Sequence, residues 1–187
     1  VAAVCSGVDS QEEADAHGPY GEKDWSDVKK CSAYPRSKTL AERAAWDFYR
    51  AIQPSPPRWS LCTINPSFVL GPALVPDGAA TSVETIVRMV AGKLPMIPRL
   101  PMSIIDVRDV AEAHIQALLA TREEVDGRRF ILENGKLRFN DIAAMISDEF
   151  SPMGYRVPKL GLGAWPAWFL SFFVGELRSL VTFIDKD

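Results

Sequence analysis

Tyr34 and Lys38 stand four residues apart in Tyr34-Pro35-Arg36-Ser37-Lys38. On a helix, residues at that spacing share one face. A free tyrosine phenol ionises near pH 10, and a cation one turn away favours the phenolate. A tyrosine so placed is able to trade a proton with a substrate, as general acid or base. The same spacing also suits an ordinary exposed pair, so the surrounding chain decides its weight.

The elements that must hold this pair are legible around it. Leu40, Ala41, Ala44, Ala45, Phe48 and Ile52 recur at three- and four-residue steps, which predicts an amphipathic helix with those residues as its apolar stripe. Pro35 fits only a first helical turn, so the helix starts near Tyr34. The proline-rich stretch 53–57 stops it. Upstream, residues 1–5 are a short apolar run expected to form a buried parallel strand ending at Ser6-Gly7. Ligands of open α/β sheets sit beyond the carboxyl ends of strands, which is where Ser6 would stand, although a plain turn serine fits as well. Residues 9–32 are polar and rich in turn formers, and read as a loop with one helical turn.

Residues 58–65 give a second buried strand. Its loop, Asn65-Pro66-Ser67-Phe68-Val69-Leu70-Gly71-Pro72, is stiffened by prolines and glycine and suits either a ligand or a simple turn. Thr81-Ser82-Val83-Glu84 resembles a capping box ahead of a stripe at Val83, Ile86, Val87 and Val90, stopped at Gly92. Residues 103–105 form a strand, and Asp106 caps a helix whose stripe is Val107, Val110, Ala111, His114, Ala117 and Leu118. His114 there reads as a partly buried structural histidine. Residues 129–133 are a strand, Asn134-Gly135 a turn, and Asn140 the cap of a helix carrying Ile142, Met145, Ile146 and Phe150. Residues 162–174 hold Trp165, Trp168, Phe169, Phe172 and Phe173. This run is too short and interrupted for a membrane span and reads as a core helix or a lid over an apolar pocket, with interfacial membrane contact as the alternative. Alternating strands and helices imply an α/β fold with parallel strands.

Composition narrows the function classes. Of 187 residues, 47% are apolar and 24% charged, so the chain is able to bury a core. A net charge of −3 without a basic run weighs against nucleic-acid binding. Cys5, Cys31 and Cys62 are scattered, and His17 and His114 lie far apart. Neither a metal site nor a disulfide framework is expected, and a reducing, cytoplasmic compartment is the simplest inference. The first residues lack the marks of a signal peptide.

Five segments together carry a resemblance: Cys5-Ser6-Gly7, Asp24-Trp25-Ser26-Asp27, Tyr34-Pro35-Arg36-Ser37-Lys38-Thr39-Leu40-Ala41-Glu42, Asn65-Pro66 through Gly71-Pro72, and Ile105-Asp106-Val107-Arg108-Asp109-Val110-Ala111. In order and approximate spacing the chain resembles the carboxyl-terminal part of an extended short-chain dehydrogenase/reductase, of the dihydroflavonol reductase-like and NAD-dependent epimerase/dehydratase group. The resemblance implies half of a Rossmann-like parallel sheet plus a small substrate-binding lobe. Residues 1–73 would be the second half of the dinucleotide-binding domain, and residues 74–187 the lobe, with Rossmann elements returning at about 103–120.

The resemblance further implies an NAD(P)H-dependent reductase of a small-molecule carbonyl, an aldehyde, a ketone or a dihydroflavonol-like compound. Tyr34 would protonate the carbonyl oxygen, Lys38 would favour the phenolate and bind the nicotinamide ribose, and Ser6 would hold the carbonyl. Pro66, Ser67, Phe68 and Val69 would lie against the nicotinamide end of NADP or NAD. Residues 9–32, residues 74–81 and the aromatic carboxyl-terminal region would shape the substrate pocket. Family members often pair as homodimers through a contact that includes the Tyr34 helix. Two other readings stand beside this one: a sterol or sugar-nucleotide dehydrogenase or epimerase, and a non-catalytic truncated relative acting as a binding module.

The sequence departs from the family where the cofactor's phosphates bind. It contains no glycine-rich G-x-G-x-x-G turn, no residue that would choose between NAD and NADP, and no counterpart of the family's catalytic asparagine. The sequence is expected to be a fragment, or a truncated relative, that binds cofactor poorly and leaves apolar faces uncovered.

Overall fold

The computed structural model describes residues 1–8, 10–52, 59–74, 81–94, 96–158, 161–171 and 184–185. In chain order the elements are α1 (Gln11–His17), α2 (Ala33–Ala51), β1 (Thr63–Pro66), β2 (Phe68–Leu70), α3 (Thr81–Val90), β3 (Ile97–Pro98), β4 (Pro101–Asp106), α4 (Val107–Leu119), α5 (Arg122–Val125), β5 (Arg129–Leu132), β6 (Lys136–Arg138), α6 (Phe139–Phe150), β7 (Gly161–Leu162) and α7 (Ala164–Ser171). They fall into two compact units. The first comprises Val1–Ser67 and Ile105–Glu133, the second Phe68–Ile104 and Asn134–Asp187.

In the first unit β1 and β5 pair in parallel, Thr63 with Arg129 and Pro66 with Leu132. Residues 1–5, expected as a strand, form a turn instead: the amides of Val4 and Cys5 both donate to the Val1 carbonyl. A strand needs a ladder, and these groups bond locally. Ala3 and Val4 are buried nonetheless. Helix α1 is longer than the single turn expected, because Ser10 accepts a hydrogen bond from the Glu13 amide and caps it.

Helix α2 begins at Ala33, as Pro35 requires, but buries a different face from the one its apolar spacing indicates. Its buried residues are Thr39, Trp46 and Tyr49, whereas Leu40, Phe48 and Ile52 stand exposed. Helix α4 is capped by Asp106, whose side chain accepts from the Arg108 amide. The Arg108 guanidinium beside it holds the Asp106 carboxyl down to about 2. None of the residues of α4 is buried. His114, expected to be partly buried, is exposed and contacts the Val110 carbonyl through Nδ1 at 2.7 Å.

In the second unit β2, β4 and β6 form one sheet and β3 pairs with β7 in parallel. Strand β4 runs antiparallel to β6, Pro101 opposite Arg138 and Ser103 opposite Lys136, an exception to the all-parallel expectation in which the two strands are brought together from distant parts of the chain rather than by a hairpin. Strand β2 occupies what had been expected to be loop. Its core joins Met89, Ile97, Phe139, Ile142, Ala143 and Val157. In α3 the buried side chain is Met89, while Val87, expected inside, is exposed. Thr81 is the first helical residue rather than the cap. Gly92 ends the helix at φ +65°, where a Cβ would meet the Arg156 carbonyl at 2.9 Å. Helix α6 starts one residue before Asn140, so Arg138 is the cap position, its amide bonded to the Asp141 carboxylate. Helix α7 buries Ala167 and leaves Trp165 and Trp168 exposed, which does not fit a simple core helix. The expected stop at 53–57, the side chains of Phe169, Phe172 and Phe173, and most of the 74–81 segment lie outside the described residues.

Candidate active site

The first two turns of α2 present Tyr34 and Lys38 to solvent on one face. Lys38 Nζ lies 5.5 Å from the centre of the Tyr34 ring, and Tyr34 is 65% exposed. Ser37, between them, donates its hydroxyl to the Tyr34 carbonyl. Thr39, the residue after Lys38, donates to the Pro35 carbonyl and is fully buried, which sets the rotation of the helix.

Ser6 is held through its backbone. Its amide donates to Ser26 Oγ at 2.8 Å, and its carbonyl accepts from the Asp27 amide at 3.0 Å. Ser26 Oγ in turn donates to the Ala2 carbonyl, and the Ser26 amide to Ala3. Gly7 follows at φ +90°, and a Cβ there would lie 2.7 Å from the Asp27 carbonyl oxygen. Among the described residues no hydrogen bond joins Ser6 to Tyr34 or Lys38. Pro66 and Ser67 lie in the first unit at the carboxyl end of β1, and Phe68 and Val69 begin β2 in the second.

Two turns along α2 from Tyr34 lies an arrangement that the sequence did not disclose. Arg129, the first residue of β5 and 8% exposed, grips Glu42 of α2 with two nitrogens, Nε to Oε1 at 2.7 Å and Nη2 to Oε2 at 3.2 Å. Its other bonds go to the carbonyls of Glu22, Asp24 and Ala3. Its guanidinium stacks 3.8 Å from the Trp25 ring centre, and Arg43 approaches the same ring at 5.1 Å. Glu42 also accepts from Thr63 Oγ1 at 2.7 Å and Trp46 Nε1 at 3.3 Å. Burial alone would raise the Glu42 carboxyl. The hydrogen bonds from Arg129, Thr63 and Trp46 outweigh it and hold the group below its ordinary value. The Asp24-Trp25-Ser26-Asp27 motif thereby acquires a physical role, as the segment clasped between Arg129 and the Ser6 turn. Glu42 closes the motif that runs from Tyr34, but its partner lies 87 residues on, beyond any local pattern.

Two polar atoms near the end of β1, Asn65 Nδ2 and Ser67 Oγ, are buried without a hydrogen-bond partner. A cavity of about 320 Å³ lies elsewhere in the same unit, between β1, β5 and α4, lined by Ile64, Ala117, Val125, Phe130 and Leu132 among others. None of Ser6, Tyr34 and Lys38 lines it. Burial raises the thiols of Cys5, Cys31 and Cys62, the opposite of what a thiolate nucleophile requires. Among the described residues no cluster of three or more His, Cys, Asp or Glu could hold a metal, and no helix is long and apolar enough to cross a membrane.

The parallel β1–β5 pair beside the helix that carries Tyr34 and Lys38 fits the Rossmann-like α/β class. The comparisons agree. A putative NADPH-dependent methylglyoxal reductase of Candida albicans is 30% identical over 167 residues, 83% of this chain and 48% of its own. A ketoreductase of Aspergillus niger is 37% identical over 149 residues, 74% of this chain and 42% of its own. The crystal structure of yeast methylglyoxal/isovaleraldehyde reductase Gre2 complexed with NADPH matches with a TM-score of 0.67 at 27% identity, covering 84% of this chain and 48% of that one. No protein-family model matches the chain. The chain belongs to the extended short-chain dehydrogenase/reductase family, and it spans about half the length of the curated relatives it matches.

Proposed function

We propose that this chain supplies the proton-transfer half of an NADPH-dependent carbonyl reductase. The observation that carries the reading is the exposed Tyr34 and Lys38 pair, with the ammonium 5.5 Å from the ring centre. Tyr34 gives its hydroxyl proton to the oxygen of an aldehyde or ketone, and Lys38 stabilises the phenolate left behind. Ser6 donates a second hydrogen bond to the same oxygen, so that two donors meet the developing negative charge.

Hydride is the cofactor's contribution to this chemistry. The residues of the first unit that suit its nicotinamide end are Tyr34, Lys38, Pro66 and Ser67. The unpartnered Asn65 Nδ2 and Ser67 Oγ at the end of β1 support a polar ligand there. The sequence contains no glycine-rich turn for the pyrophosphate, so NADPH binding by these residues alone is expected to be weak. The substrate class is a small carbonyl, by analogy with the methylglyoxal reductases and the ketoreductase. The sterol, sugar-nucleotide and non-catalytic readings have no specific observation in their favour. Leu40, Phe48 and Ile52 on the outer side of α2 suit a second copy of the chain, with the oligomeric state in solution as the measurement.

The test is fluorescence titration with NADPH and NADH, and methylglyoxal reduction, on this chain and on a longer protein that carries it together with a glycine-rich strand-turn-helix. Binding by the longer protein alone, with reduction abolished by Tyr34→Phe, supports the proposal. Reduction that survives Tyr34→Phe defeats it.

A further inference from the structure

Arg129 and Glu42 are side chains that a small domain rarely takes out of water unpaired. A buried ion pair is a weak stabilising device, because desolvation offsets much of the attraction. What an arginine adds is direction: five N–H donors in a rigid planar fork. Each donor direction of Arg129 ends on a segment that bears on the candidate site.

Nη2 reaches the Ala3 carbonyl, three residues before Ser6. Nη1 reaches the carbonyls of Glu22 and Asp24, in the segment that continues into Ser26 and Asp27 and there holds the Ser6 backbone on both sides. Nε and Nη2 hold Glu42, which lies one helical turn beyond Lys38 and two beyond Tyr34. One guanidinium therefore binds the Ser6 turn, its clasp and the Tyr34 helix at once. Trp25 closes over its face at 3.8 Å. The hydroxyls of Ser6 and Tyr34 must converge on one oxygen, and a misplacement of about 1 Å is enough to cost on the order of a hundredfold in rate.

We propose that Arg129 and Glu42 are a positioning pair that sets the separation of Ser6 from Tyr34 and Lys38. The proposal rests on the catalytic reading given above. Lysine at position 129 keeps the charge but loses the fork, since an ammonium is a point charge on a flexible stem. Glutamine at position 42 keeps the shape and loses the charge.

The decisive measurement is amide hydrogen exchange on this chain carrying Arg129→Lys and, as a milder variant, Glu42→Gln. The expected result is exchange at Ser6, Ser26 and Asp27 accelerated about tenfold or more beyond any change at the amides of α6 and of the last two turns of α2, which report the general loss of stability. Uniform loss of protection in both variants would make the pair a plain stability element and overturn the proposal, as would unchanged protection at the three amides. A kinetic arm uses NADPH and methylglyoxal on the longer protein described above. Arg129→Lys should lower kcat about a hundredfold with KM for NADPH within about twofold, whereas a structural role lowers the active fraction and leaves kcat per folded molecule intact. The two failures are distinguishable. If the local exchange pattern appears but Tyr34→Phe leaves reduction intact, the separation role stands and the catalytic reading falls. If Tyr34→Phe abolishes reduction while Arg129→Lys matches the parent in exchange and kcat, the positioning role falls alone.

Discussion

Lys38 Nζ stands 5.5 Å from the centre of the Tyr34 ring, with both side chains on the solvent face of the first two turns of α2. A pair so exposed does little for the fold. Attraction between an ammonium and an aromatic face is worth about 0.5–1 kcal/mol at exposed sites. Tyr34→Phe keeps the ring and removes only the hydroxyl. Its stability is expected within about 0.5 kcal/mol of the parent. In the reductase assay it should lose about 10²- to 10⁴-fold in kcat, the usual worth of a positioned proton donor. Thermal unfolding and turnover, measured on the same preparation, check both halves.

Gly7 gives a sharper prediction about the Ser6 turn. Its φ of +90° is unfavourable for any L side chain, and a Cβ would lie 2.7 Å from the Asp27 carbonyl oxygen. Gly127 has φ +74° but nothing within 4 Å of its Cβ position. Gly127→Ala should therefore cost only the backbone penalty, about 1–2 kcal/mol. Gly7→Ala should cost more, because the Asp27 backbone must move as well. Urea denaturation of the two variants compares them directly. Equal losses would show that the Ser6–Asp27 pairing yields freely.

The parts of the fold written in local chemistry were legible from the sequence. Pro35 fixed the start of α2, Asp106 the start of α4, and Gly92 the end of α3, each through a backbone or capping preference within one turn. The buried face of α2 was not legible. Its inward positions carry Thr39, Glu42, Trp46 and Tyr49, whose polar groups read as exposed until their partners are known. Glu42 meets Arg129 across 87 positions and Tyr49 meets Asp126 across 77. The same holds for residues 1–5, whose apolar character was read as a strand although their amides close a turn. Of the candidate site, the helical Tyr34 and Lys38 pair followed from spacing. The clasp of Ser26 and Asp27 on Ser6 is long-range and became visible only in three dimensions.

Tyr49 donates its hydroxyl to Asp126 Oδ1 at 2.5 Å, and the same oxygen accepts from the Leu61 amide at 3.1 Å. Arg122 adds Nε to the other oxygen at 3.2 Å. This ties the last turn of α2 to the segments entering β1 and β5. Tyr49→Phe removes one donor from a carboxylate that retains two others. The loss should be about 1 kcal/mol, read as a lower urea midpoint at unchanged slope. A changed slope would mean that the packing of Trp46 and Trp59 around the ring had also altered.

The Glu42 carboxyl offers a prediction with a definite sign. Burial raises it, but the bonds from Arg129, Thr63 and Trp46 prevail, and its folded value lies below the ordinary 4.5. A carboxylate depressed on folding stabilises the protein at every pH above its unfolded value, and that contribution disappears as pH falls through the folded value. The window for Glu42 therefore opens below 4.5. Glu42→Gln removes the titration and leaves the Arg129 guanidinium buried without its counter-charge, at a cost of about 3 kcal/mol near neutrality. Between pH 7 and pH 5 the two proteins should differ by that constant amount. Below it the parent should lose stability faster with acid than the variant, and the curves should converge. Denaturant unfolding at pH 3, 4, 5 and 7 measures both. Parallel curves down to pH 3 would mean that Glu42 keeps its proton equilibrium unchanged on folding, and the ion pair with Arg129 would contribute nothing to acid sensitivity.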